Sequence, residues 1–155
     1  MDSYLLLKSL HIFGVTIFLG NIIVTALWKV MADKTRSPAI VAYAQRLVTI
    51  TDFVFTTGGV ILIITTGTMM AAKFGKISEV YWISWGLWLF IASGIIWVAI
   101  LIPIQIMQAK MAKQFAFENE IPQKYRKLSK IWIWIGITAT VLPLVSLYFM
   151  VFKPV

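Results

Sequence analysis

The sequence predicts an all-helical integral membrane protein: a four-helix transmembrane bundle with both termini extracytoplasmic. Three observations carry that expectation. The chain is 60% hydrophobic and only 13% charged, against about half and about a quarter in soluble domains. Its apolar residues gather in four runs, each long enough to cross a hydrocarbon core of about 30 Å. Its basic residues gather in alternate connections, the asymmetry that orients membrane proteins.

The first run covers about residues 4–31. It opens Met1-Asp2-Ser3 with no basic cluster, and no small-x-small cleavage site follows before the next polar turn. A retained first helix is therefore expected rather than a cleaved signal. Residues 32–38 form a polar turn ending in Pro38, a residue suited to open a helix. The second run covers about 48–72 and stops at Lys73-Phe74-Gly75-Lys76. The third covers about 81–107. The fourth, about 131–152, follows a longer polar connection that Pro122 divides. The first half of that connection is expected to continue helix three. The runs show no alternation of the kind a membrane barrel needs, which leaves helices. With 155 residues, the four spans leave no room for a soluble domain, so residues 1–155 form one membrane domain.

Orientation follows from the positions of Lys and Arg. Ten of the fourteen lie in or beside the first and third connections: Lys29, Lys34, Arg36, Arg46, Lys110, Lys113, Lys124, Arg126, Lys127 and Lys130. Those connections are expected in the cytoplasm. The net charge of +8 is thus read as loops facing anionic lipid, not as a nucleic-acid surface. There are no cysteines, which removes disulfides and thiolate chemistry. No phosphate loop, HExxH or nucleophile elbow occurs, and the reading leans away from an enzyme.

In a bilayer the less apolar stripe of a helix faces protein. Helix one carries His11, Gly14, Phe18, Asn21, Thr25 and Trp28 on one face, and helix two carries Gln45, Thr49, Asp52, Thr56, Gly59, Ile63, Thr66 and Met70. Weaker stripes are Gly86, Ser93 or Gly94, Trp97, Leu101 and Gln105 on helix three, and Trp132, Gly136, Ala139, Pro143, Ser146 and Met150 on helix four. His11, the only histidine, suits a hydrogen bond to a neighbouring helix or, with Met70 or Met150, a haem iron. Its expected neighbours are Thr66, Met70, Trp85 and Ser146. Asp52 needs a partner or a proton at its depth. Lys29 and Arg46 are the expected partners, and a proton-carrying carboxylate is the functional alternative.

These residues resemble a family of bacterial and archaeal membrane proteins, the domain of unknown function 2269 family. The resemblance rests on Leu7-Lys8-Ser9-Leu10-His11-Ile12-Phe13-Gly14 with Gly20, then Trp28, Asp52, Gly67, Ile102-Pro103-Ile104-Gln105 and Met150-Val151-Phe152-Lys153-Pro154. It implies an integral membrane protein and no particular biochemical role. In helix one alone, Lys8-x-x-His11-Ile12 with Gly20 also looks like copper-resistance D-type proteins and haem-associated protoporphyrinogen oxidases. That likeness implies a haem ligand at His11.

Three functions follow as expectations. The leading one is a membrane scaffold or assembly partner in a prokaryotic plasma membrane, associating with lipid and with a second copy or another membrane protein. The second is a haem b- or quinone-associated redox protein using His11. The third is a small proton-linked transporter using Asp52 and the threonines of helix two, with Lys29 beside Asp52 as a candidate proton or ion residue.

Overall fold

The computed structural model describes residues 3–118 and 120–154. Four helices, α1 (Ser3–Thr35), α2 (Pro38–Phe74), α3 (Tyr81–Phe115) and α4 (Gln123–Phe152), are long and apolar enough to cross a membrane. No strand occurs among the described residues. Large apolar side chains such as Phe53, Ile95 and Trp134 face outward. A soluble bundle would bury them, whereas a bundle in lipid has no reason to.

The helices outrun the apolar segments. α2 begins at Pro38 rather than near 48, α3 continues to Phe115, and α4 begins at Gln123 rather than near 131. A second small core explains the extension: Val41, Ala112, Phe115, Ile121 and Tyr125 pack together beyond the apolar runs. Tertiary burial of this kind supports helical turns that hydropathy alone does not mark. This end carries most of the cations and is called the basic end below. The α1–α2 connection shrinks to Arg36 and Ser37, with Arg36 in a left-handed conformation at φ 55°. Pro38 sits in the first turn of α2, where a missing N–H costs nothing. Gly75, at φ 91°, ends α2 in a conformation that only glycine adopts easily.

α1 packs along α2, and α3 along α4. At the basic end α2 also meets α3, while α1 and α4 touch only sparsely. Glycine permits the first pairing. A Cβ at Gly59 would lie 2.8 Å from the Phe18 Cβ and 3.0 Å from the Gly14 carbonyl oxygen, and one at Gly14 would lie 2.9 Å from the Leu62 Cβ. Hydroxyls hold the second pairing. Pro143 has no N–H, so the Ala139 carbonyl one turn earlier loses its helical donor. Ser93 Oγ of α3 donates to that carbonyl at 2.7 Å, and Ser146 Oγ of α4 donates to the Gly86 carbonyl at 2.8 Å. The second pair thus satisfies polar groups that hydrocarbon cannot.

Two helices are locally widened into π turns, at Asp52–Thr56 in α2 and Trp97–Leu101 in α3. The second lies just before Pro103, whose ring displaces the preceding turn. The first contains the one acidic side chain in the middle of the bundle.

Candidate functional site

Asp52 is 94% buried, in the middle of α2. Antiparallel packing sets Asn21 of α1 opposite it. Asn21 Nδ2 donates to Asp52 Oδ1 at 2.8 Å and to Thr56 Oγ1 at 3.0 Å. Thr56 Oγ1 donates to the same carboxylate oxygen at 3.2 Å, and the Gln105 side chain of α3 lies close to the carboxyl. Asn21, Thr56 and Gln105 are neutral. They satisfy the lone pairs of a carboxylate without cancelling its charge. Among the described residues no ion pair reaches Asp52.

The expected partners of Asp52 are therefore corrected. Arg46 is six residues away, about 120° around the helix, and exposed. Lys29 is not at the depth of Asp52. Asn21 marks that depth, and Lys29 lies eight residues further along α1, about 12 Å. Its ammonium is instead buried at the basic end, donating to Gln45 Oε1 of α2 and to Tyr125 Oη of α4 at 3.0 Å. Tyr125 Oη donates to Gln45 Oε1 at 3.1 Å. The rings of Tyr125 and Trp132 face Lys29 Nζ, with centroids 5.0 and 5.7 Å away. This is a cation held by neutral oxygens and aromatic faces. Gln108 and the Trp132 indole N–H, on the helices around it, are buried without hydrogen-bond partners.

A cavity of about 510 Å³ lies between the two helix pairs. Phe18, Phe90, Trp97 and Trp132 supply aromatic wall, the rest is mostly aliphatic, and Asp52 is the single ionisable lining residue. Thr25, Thr56, Ser93 and Thr140 add hydroxyls to the lining. The volume falls in the range of small-molecule sites, about 300–1,000 Å³. The cavity exists because α1 and α4 barely touch, so the two pairs stand apart at mid-depth.

His11 points into the bundle, as its stripe implies. Its Nδ1 lies 3.0 Å from Thr66 Oγ1, and Thr66 Oγ1 donates to the Leu62 carbonyl. The ring lies against Gly67, where a Cβ would come within 3.1 Å of Cε1. Met70 lies one turn beyond Thr66 on α2. Met150 closes on Gly86 of α3, where a Cβ would meet its Cε at 2.5 Å. None of the three lines the cavity. A haem held between His11 and either Met70 or Met150 would need a porphyrin-wide gap between the two side chains. The ring instead abuts the α2 backbone and Met150 fills the α3–α4 contact, so these side chains do not frame a porphyrin, and no chemistry is derived through one.

The helix-one stripe also turns differently from expectation. After Thr25 the buried face continues through Lys29 and Ala32, and Trp28 is exposed. The lysine is inside because Gln45 and Tyr125 receive it. Gln45 and Gln105 were legible as polar members of stripes. Tyr125 and Gln108 carried no such signal, since both lie outside the apolar runs.

Fold and site define a four-helix membrane protein with a carboxyl buried at mid-depth beside an apolar cavity. The chain belongs to the domain of unknown function 2269 family of predicted integral membrane proteins, whose model matches residues 5–154. No curated protein and no solved structure gave a significant match.

Proposed function

We propose that the protein is a small proton-linked membrane carrier that takes an apolar, positively charged molecule into its mid-bilayer cavity and exchanges it for a proton on Asp52. The observation that carries this reading is the placement of one carboxyl, the single ionisable group, in the wall of a mostly apolar and aromatic cavity. A carboxylate at this depth is costly unless a proton or a cation neutralises it. Aromatic walls favour a lipophilic cation as the second of these. One carboxyl cannot hold both at once, so binding and protonation compete. The amide of Gln105 suits either state, because it can present N–H to a carboxylate or its carbonyl to a carboxylic acid. The asymmetry of Lys and Arg supports an orientation with both termini outside the cytoplasm.

The test uses detergent-purified protein and tetraphenylphosphonium as probe cation. Binding should release close to one proton per site in weak buffer and should tighten as pH rises. Asp52→Asn should abolish both, with the helical circular dichroism unchanged. Equal binding by wild type and Asp52→Asn would refute the carboxyl as the site. Folded wild type that binds no cation at any pH would refute the carrier, and the Asp52 cluster would then be packing in a scaffold or assembly partner.

A further inference from the structure

A second concavity, of about 440 Å³, lies at the basic end between α1 and α4. Its mouth carries four exposed cations: Lys34 in the last turn of α1, Arg36 just after it, and Arg126 and Lys130 on the first turns of α4. The single carboxylate there, Asp33, already accepts a hydrogen bond from Ser129. The mouth is therefore strongly positive. Its lining changes with depth. Along α1, Val30 lies one turn inward of Lys34. Along α4, Ile133 lies about one turn inward of Ser129 and Lys130. Both are half-buried and apolar. The groove is basic where the headgroup layer would be and aliphatic where hydrocarbon begins. Ile133 also lines the mid-bilayer cavity, so the inner end of the groove lies beside that cavity, along the sparsely packed α1–α4 seam.

We infer that this groove is a seat for one anionic phospholipid. The phosphate lies among Lys34, Arg36, Arg126 and Lys130, and an acyl chain passes Val30 and Ile133 into the α1–α4 seam. Charge selects an anion, since four cations face one engaged carboxylate. The apolar inner end selects an anion that carries a chain, because a free phosphate would leave Val30 and Ile133 unused. Arg36 and Arg126 present planar guanidinium groups suited to paired hydrogen bonds with phosphate oxygens. The inference is independent of any cation at Asp52.

The experiment is native mass spectrometry of the full chain released from detergent, titrated with phosphatidylglycerol, phosphatidylcholine, and glycerol phosphate without chains. One molecule of phosphatidylglycerol should be retained, with phosphatidylcholine and chain-free glycerol phosphate retained far less. R126Q/K130Q should weaken phosphatidylglycerol retention by about thirtyfold. K124Q/K127Q removes the same charge from the same segment outside the groove and should change retention by less than about threefold. Equal loss in the two double variants would overturn the seat and leave general surface attraction. Equal retention of phosphatidylcholine would overturn the charge selection, and equal retention of glycerol phosphate would overturn the lipid. All four side chains are exposed and outside the cores, so these variants should fold. Ile133→Trp, which fills the inner end without touching charge, should reduce retention of long-chain phosphatidylglycerol and spare the helical spectrum. Unchanged retention in Ile133→Trp would remove the chain from the proposal.

Discussion

Two adjacent glycines of α2 should respond to the same substitution in opposite ways. At Gly59 an added Cβ would lie 2.8 Å from the Phe18 Cβ, 3.0 Å from the Gly14 carbonyl oxygen and 3.2 Å from the Phe18 Cα. These neighbours are backbone or Cβ atoms, which cannot swing aside. Ordinary carbon contacts lie near 3.5–4.0 Å, so α1 and α2 must part by about 0.5–1 Å at their crossing. Overpacking of this kind costs about 1–3 kcal/mol. At Gly58 an added Cβ meets nothing within 4 Å. There Gly58→Ala gains helix propensity, up to about 1 kcal/mol. The two variants should therefore differ by roughly 1–4 kcal/mol, with Gly59→Ala the less stable. Unfolding in mixed micelles, titrated with dodecyl sulfate and followed by circular dichroism, measures the difference. Gly14→Ala combined with Gly59→Ala should be non-additive, because the two sites face each other. Matching midpoints for Gly58→Ala and Gly59→Ala would refute the close α1–α2 crossing.

Ser93→Ala should destabilise by about 1–3 kcal/mol, because it orphans the Ala139 carbonyl; Pro143→Ala, which restores an N–H to that turn, should shrink the loss in the same unfolding assay. Lys29→Met should change stability by less than about 1 kcal/mol, since it removes a buried cation and leaves the Tyr125–Gln45 bond intact. Tyr125→Phe takes an acceptor from that cation and should cost about 1–3 kcal/mol; a larger loss in Lys29→Met than in Tyr125→Phe would contradict the geometry. Reporter fusions at Val155 and at Glu120 should report opposite sides of the membrane, and the same side for both would overturn the orientation drawn from Lys and Arg.

Much of the candidate site is written in single residues of the sequence, yet little of its wiring is. Asp52 and Asn21 both fall on less apolar stripes, and a buried carboxyl among hydrophobic residues is conspicuous in any membrane chain. Lys29 is conspicuous too, and charge alone suggests that the two should pair. The antiparallel register decides otherwise, placing Asn21 against Asp52 and Lys29 against Gln45. A helix rises about 1.5 Å per residue, so a pairing inferred from opposite charge fails when the register differs by two turns. Tyr125 lies outside the apolar runs, and its role as a receiver of Lys29 depends on α4 starting a turn and more before its hydrophobic stretch.

Hydropathy by itself determined the class of the protein, the number of its spans and their order, because the cost of exposing polar groups to hydrocarbon acts on each segment separately. Small-residue stripes also marked which faces meet protein. Only the tertiary structure decided which helices pair closely, that α1 and α4 stay apart, and that a cavity with one carboxyl opens between the pairs. Those features come from contacts between segments far apart in sequence: a Gly14–Gly59 crossing in one pair, and hydroxyls on freed carbonyls in the other. An empty space has no residue of its own, and its existence depends on how closely the helices around it can approach.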